Sequence, residues 1–363
     1  MKTFSCSHCG QTVFFENTVC VNCGHELGYD PERMRMLALK PVEEEGRPES
    51  LLEVMGSSDE GRRFKHCANR LNHGVCNWLL PEGEEESLCE SCQLTLTIPS
   101  LDDSWAALGW SRMEIAKRRL LYGFSELGLK VYPRDAGHPY GLGFEFLMNE
   151  PGGPEIKTGH REGLITVDIA EADDVLRTMT RTRLGEDYRT LLGHFRHESG
   201  HFWWDQWIKD SERLSAFREC FGDERYDYKE ALDRYYRQGP WPDWSQNYMT
   251  AYASSHPWED WAETWAHYMH LVDTVETAQG YGMSLLRDPA STDGLSIDLG
   301  KLDRRDFDAL IDAWVPVTMA LNSFNRSMGL PDLYPFSISQ GARRKLAFIH
   351  RVVAEESGDN RGF

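Results

Sequence analysis

The chain has 363 residues, 40% of them apolar and 12% aromatic, which is enough to bury a sizeable core and too many for a disordered protein. Its 39 Lys and Arg stand against 58 Asp and Glu, a net charge of −19. A surface that acidic repels nucleic acid and anionic membrane alike, so neither is expected as a partner.

The start, MKTFSCSHCG, shows no apolar run of a secretory signal. The most apolar late stretch, Ala309 to Leu321, is interrupted by Asp312 and Pro316 and is too short to span a bilayer. A cytoplasmic location is the expectation. Eight of the nine cysteines precede residue 93, and Cys220 stands alone, read as a buried or inert thiol. Clustered C-x-x-C pairs in such a chain read as metal ligands rather than disulfides.

Residues 1–30 form a first module. Cys6-Ser-His-Cys9 and Cys20-Val-Asn-Cys23 each present two thiolates, and four such ligands in a tetrahedron suit Zn²⁺. So small a segment lacks the apolar mass for a core, so the metal supplies its folding free energy. Residues 31–62 turn polar and read as a linker, with one short helix or strand at the apolar cluster Leu51, Leu52, Val54 and Met55. Cys67, Cys76, Cys89 and Cys92 then define a second four-cysteine zinc module over residues 63–96. Its first pair is loosely spaced, so His66 or His73 is a candidate replacement for one cysteine, and the spacing also permits ligand sharing between the quartets. The acid run PEGEEES, 81–87, reads as a solvated turn.

Residues 97–363 read as one mainly helical domain with a small sheet, an α+β fold. Ser111-Arg-Met-Glu114 matches a capping box, followed by Ala116, Leu120, Phe124 and Leu127 at helical spacing and Gly128 as a stop. GLGFEFLMN (141–149) and GLITVDIA (163–170) carry strand patterns. A helix is predicted over 185–208, helical segments over 212–237 with a break near FGDE, and another helix from Pro257. The C-terminal third is mainly helical, with Arg343, Arg344 and Lys345 read as one solvated face.

Within the helix over 185–208 stands HFRHESGHFWWDQW, in which His197, Glu198 and His201 spell H-E-x-x-H. On a helix the two histidines lie one turn apart on one face and can share an ion, while Glu198 is offset towards a water on that ion. Gly200 reads as a small residue that relieves crowding beside the metal. His194 falls on a different face, and Asp205 reads either as a partner that orients His201 or as an exposed aspartate. A catalytic zinc needs a third protein ligand and an open fourth position. Downstream, YASSHPWEDWAETWAH (252–267) offers Glu259, Glu263, His256 and His267 for that place. Two carboxylates one turn apart on a helix with Trp258, Trp261 and Trp265 need a reason to be half-buried: one can ligate while the other holds the distal nitrogen of a ligand histidine.

H-E-x-x-H followed by E-x-x-x-[DE] on a later helix resembles the gluzincin metallopeptidases, and EDWAETW is similar to the corresponding segment of the anthrax lethal factor peptidase domain. Over nearly its full length, the chain resembles the bacterial zinc-binding metallopeptidases that carry an amino-terminal zinc-ribbon region. That resemblance rests on the cysteine quartets, HFRHESGHFWWDQ, FRECFGDERYDY (217–228) and SHPWEDWAETWAHY (255–268). It implies a zincin-like fold, one catalytic and two structural Zn²⁺ ions and a peptide or protein substrate. It also implies His197, His201 and Glu259 as ligands, Glu198 as general base, Glu263 as the residue behind a ligand histidine and Tyr252 as an oxyanion donor. Glu259 lies 58 positions after His201, farther than in thermolysin-like members, which predicts an inserted segment around the cleft at residues 210–250. Strand 163–170 reads either as the cleft's edge strand or as an ordinary core strand, and the zinc ribbons as a surface for a protein partner. Two rivals keep the same residues: a zinc-ribbon adaptor on an inactive scaffold, and a zinc hydrolase of a non-peptide amide.

Overall fold

The computed structural model describes residues 2–42, 51–56, 61–149, 152–153, 156–184, 190–286 and 296–357. A small ribbon of β1 (Phe4–Ser5) and β2 (Thr12–Val13) carries Cys6 and Cys9 on its turn, and a second turn, closed by the Val19–Glu26 bridge, carries Cys20 and Cys23. An antiparallel five-stranded sheet follows in chain order: β3 (Glu26–Asp30), β4 (Arg35–Pro41), β5 (Leu51–Met55), β6 (Arg63–His66) and β7 (Leu79–Pro81). The segment expected to be a linker, 31–62, therefore contributes two strands to this sheet. Met36, Leu37, Ala38 and Leu39 are buried on both faces of β4, so they lack the alternation that marks a half-exposed strand. The most polar parts of that segment, 43–50 and 57–60, lie outside the described residues.

In the second module Cys67 precedes α1 (Ala68–His73) and Cys89 precedes α2 (Glu90–Gln93). The four cysteines form their own cluster, separate from the first. Neither histidine substitutes: His66 pairs with Glu26, and the His73 ring rests against Trp110.

After the second quartet come β8 (Thr95–Thr97) and α3 (Ser104–Glu126), then β9 (Gly143–Leu147), β10 (Gly159–Arg161) and β11 (Leu164–Asp168). These strands form a sheet in the order β10-β11-β9-β8, antiparallel only between β10 and β11. Strand 163–170 is thus interior, and β10 forms the edge. Helix α3 starts earlier than the capping box suggests, because the Asp103 side chain accepts the N–H groups of Trp105 and Ala106. Glu114 is instead fully buried, accepting from Trp110 Nε1, Thr95 Oγ1 and Lys117 Nζ. Gly128, at φ +69°, follows the helix end as expected.

The remaining helices are α4 (Asp174–Leu184), α5 (Leu191–Trp207), α6 (Leu214–Phe221), α7 (Tyr228–Gln238), α8 (Trp244–Asn247) and α9 (Pro257–Gly280). A hairpin of β12 (Ser284–Leu286) and β13 (Ser296–Asp298) leads to α10 (Phe307–Ser327) and α11 (Gln340–Glu356). Thr190 caps α5 by accepting from Gly193 N–H, while the predicted first turn, 185–189, lies outside the described residues.

Helices α5 and α9 pack intimately at Gly200, where an added Cβ would lie 2.8 Å from Ala262 Cα. Trp261 Nε1 donates to the Gly200 carbonyl at 2.8 Å, and Trp265 Nε1 to Ser199 Oγ at 3.0 Å. Gly200 therefore relieves crowding against α9, not beside a metal. The amino-terminal module docks at the other end of α9. Phe4, Phe15 and Tyr29 pack on Tyr122 of α3, whose hydroxyl donates to Glu276 Oε1 at 2.6 Å. Glu276 follows Glu259 by 17 residues on α9, or about 25 Å at 1.5 Å per residue. Among the described residues, no helix is long and apolar enough to cross a membrane.

A methyl group at position 200 is expected to push α5 from α9. Gly200→Ala should cost about 1–3 kcal/mol in urea unfolding, the usual penalty for overpacking, whereas unchanged stability would show that the two helices part freely.

Candidate metal centre

Helix α5 presents His197 and His201 one turn apart, their ring centroids 5.0 Å from each other. The opposing wall is the first turn of α9. Its N-cap, His256, accepts the Trp258 N–H on Nδ1 at 3.1 Å, and Pro257 takes the first helical position. That cap aims Glu259 across the gap, with Oε2 3.0 Å from His197 Nε2 and Oε1 3.6 Å from His201 Nε2. One ligand atom from each of the three residues lies within 4.8 Å of the others. One turn later, Glu263 Oε1 is 2.7 Å from His197 Nδ1, and its other oxygen accepts from Thr250 Oγ1 at 2.5 Å. With Nδ1–H given to Glu263, the His197 Nε2 lone pair faces the cluster.

The buried charged groups of the cluster hold one another. Burial works against the Glu259 carboxylate, yet His201 and His197 outweigh it and hold the group well below its usual range. Burial likewise opposes charge on His197, but Glu259 and Glu263 more than reverse that effect. Glu198, 9% exposed, is pushed up by burial against the pull of both histidines. No ion-pair partner of Glu198 occurs among the described residues.

The donor sets fit zinc. At zinc–nitrogen and zinc–oxygen lengths of about 2.0–2.2 Å, neighbouring corners of a tetrahedron lie about 3.3–3.6 Å apart, and the pairs across the α5–α9 gap span 3.0 and 3.6 Å. At about 2.3 Å for zinc–sulfur, the sulfur–sulfur edge is about 3.8 Å. Cys6–Cys23, Cys9–Cys20 and Cys76–Cys89 stand at 3.8, 3.7 and 3.6 Å, far from the roughly 2.05 Å of a disulfide.

Of the other residues offered as ligands, His256 is committed to capping α9, and its Nε2 faces the Tyr226 carbonyl at 3.1 Å. His267 bonds Tyr334 in the interior, where burial drives it down to about 4. Asp205 makes no bond to His201; its ion contact is Lys209 at 3.9 Å. Tyr252 stands with its ring 6.0 Å from that of His197. The insertion expected at 210–250 is helical, and it contributes a residue that sequence reasoning missed. Tyr228 donates its hydroxyl to Glu259 Oε1 at 2.7 Å, and burial with that carboxylate holds the phenol above its ordinary value. Trp258 stacks on His201 with centroids 3.6 Å apart, and His160 of β10 lies 6.3 Å from the same ring.

Beneath the first turn of α9 lies a further correction. Lys345 does not belong to a solvated face: it is 6% exposed, 2.6 Å from Asp260 Oδ2 and 3.9 Å from the Tyr248 ring centre. Arg344 is exposed, as expected, and Arg343 is half-buried and pairs with Asp308.

Residues 106–352 match the model of a family described as "Putative zinc-binding metallo-peptidase", and residues 3–103 match that of a zinc-ribbon domain. The chain belongs to this family of zinc-binding metallopeptidases, with an amino-terminal zinc ribbon. It is 41% identical over 360 residues to uncharacterized proteins of Mycobacterium bovis and of two Mycobacterium tuberculosis strains, covering 99% of this chain and 97% of each relative. No solved structure matches the chain.

Burial lifts Asp260 to about 7 despite the neighbouring Lys345. Its protonated form thus stabilises the fold fully below the unfolded value of about 3.9, and that contribution is lost as pH rises through the folded value. Lys345→Met should cost about 3–5 kcal/mol at about pH 8.5, where the buried carboxylate loses its partner, and less at about pH 6, where it takes up a proton. Urea unfolding at both pH values, relative to the unaltered chain, reads this difference; an equal loss at both would remove Asp260 as the titrating group.

Proposed function

We propose that the protein is a zinc-dependent peptidase that hydrolyses peptide bonds at the α5–α9 gap. The observation that carries the reading is Glu198, a buried carboxyl group without an ion-pair partner among the described residues, beside two histidines and a carboxylate whose donor atoms converge at zinc-like distances. An inactive scaffold would have no need to keep such a group buried.

Zinc held by His197, His201 and Glu259 would supply Lewis acidity, lowering the pKa of a water and polarising the scissile carbonyl. Glu198 takes the proton of the attacking water as its oxygen adds to the carbonyl carbon. It then delivers that proton to the amine nitrogen as the C–N bond breaks, so the carboxylate is regenerated. Burial, which raises its proton affinity, suits it to both steps. Glu263, anchored by Thr250, keeps the His197 tautomer that turns Nε2 to the ion. Tyr228 steadies one Glu259 oxygen. Tyr252, beside His197, donates its O–H to the carbonyl oxygen as negative charge develops there.

An extended substrate would pair with the free side of β10, the sheet edge next to His201, through backbone hydrogen bonds. The quartets would hold structural zinc in the part of the chain that packs on Tyr122 at the Glu276 end of α9, and none of their cysteines joins the cluster at the α5–α9 gap, so they stabilise the domain and offer a surface to a protein partner.

Zinc analysis should give three ions per chain, and two in His201→Ala. Glu198→Gln should retain all three and the unfolding midpoint while peptide cleavage falls by at least about 10²–10⁴-fold, the usual contribution of a general base. Cleavage near the unaltered rate in Glu198→Gln, with three zinc ions bound, would overturn the mechanism.

A further inference from the structure

Beside the metal cluster lies an open cavity of about 320 Å³. Its walls include three aromatic side chains: Trp204 of α5, Tyr228 of α7 and Trp258 of α9. Two of these also touch the cluster, Trp258 by stacking on His201 and Tyr228 through its bond to Glu259. Tyr228 and Trp258 meet nearly at right angles, 81° between planes at a centroid separation of 5.6 Å, and so form a corner. A side chain held there would belong to a residue whose backbone lies at the reacting centre.

Apart from the Trp204 indole N–H, which is buried without a hydrogen-bond partner among the described residues, the polar groups on these walls are engaged. His256 spends one ring nitrogen on the Trp258 N–H and the other on the Tyr226 carbonyl. The Tyr228 hydroxyl is given to Glu259. Glu224 holds Arg218 through two bonds of 2.9 and 2.5 Å, and Asp205 faces Lys209. Each acidic group on the wall therefore has a basic neighbour, and what remains to meet an occupant is ring surface. A basic occupant would bring its charge towards Lys209, and an acidic one towards Asp205 and Glu224.

We propose that this cavity is a substrate subsite for a large apolar or aromatic side chain flanking the scissile bond, a specificity that rests on the peptidase reading. Phe, Tyr, Trp and Leu fill it by covering the rings of Trp204, Tyr228 and Trp258, while Ala leaves the rings wet. Trp204, which packs on Phe217 and touches no candidate ligand, is the wall on which the choice of side chain depends most cleanly.

The test uses the full-length, zinc-loaded protein and amino-acid hydroxamates, with binding read by calorimetry. Phenylalanine hydroxamate should bind about tenfold to a hundredfold more tightly than alanine hydroxamate, the range expected for burying one such side chain. Arginine and glutamate hydroxamates should bind no more tightly than alanine hydroxamate. Trp204→Ala should bring the phenylalanine preference below about threefold. Lys209→Glu, at a mostly exposed position, leaves the rings in place, removes the basic neighbour of Asp205 and should raise arginine hydroxamate affinity. Equal binding of phenylalanine and alanine hydroxamates, an arginine preference in the unaltered protein, or no binding of any of them would overturn the subsite. A phenylalanine preference in a protein that cleaves no peptide of a mixed library would keep the subsite and remove the peptidase reading. Cleavage without side-chain preference would do the reverse.

Discussion

The contact on which the site depends is the approach of α5 to α9 at Gly200. A bare Cα there lets the two helices meet with Ala262 and Trp265 directly opposite. Trp261 and Trp265 fix the register by donating their indole N–H groups to α5. With that register set, His197 falls opposite Glu259 and Glu263, and His201 opposite Glu259. Two sequence-distant motifs thus become one cluster because a pair of tryptophans and a glycine specify how two helices cross. The aromatic residues within HFWWDQW back the same contact: Trp203 and Trp207 stack on each other and reach Trp265.

Charge is concentrated on this frame in a way that an apolar core would not tolerate without compensation. Glu259 and Asp260 are adjacent and both buried, yet they face different partners. Glu259 looks into the metal cluster, and Asp260 looks back to Lys345. The Lys345 ammonium also donates to the Asn247 carbonyl at 2.7 Å, which ties α11 to the segment that leads into Tyr252. The cleft is therefore braced from behind by a helix near the chain's end, while the zinc ribbons brace the far end of α9 through Tyr122 and Glu276.

Much of this was legible before the fold. The cysteine quartets, the H-E-x-x-H pair and the downstream glutamates are short-range patterns, and the structure brings their side chains together as three clusters. Local signals also marked Gly128 as a helix stop, Pro257 as a helix start and the break between α6 and α7. What escaped was decided by tertiary contact. Tyr228 lies 31 residues before Glu259 in a segment whose composition gives no hint of its partner. Lys345 sits in a basic run that ordinarily means solvent, and only the buried Asp260 opposite makes it internal. The sequence left the strand at 164–168 as either an edge or a core strand, and only the order of strands in the sheet, which is not their order in the chain, makes it interior with β10 at the edge. Residues 31–62 looked like a linker because their flanks are polar, although β4 is buried on both faces. Gly200 was read against the metal when its neighbour is another helix.

The central claim is that α5 and α9 together hold a zinc ion with one position left for water and substrate. Anomalous diffraction at the zinc edge from crystals of the full-length protein tests it most directly. The account predicts a peak about 2.0–2.2 Å from His197 Nε2, His201 Nε2 and a Glu259 oxygen, with no fourth protein ligand. Peaks confined to the two cysteine quartets, or a peak between the helices closed off by a fourth side chain, would contradict it.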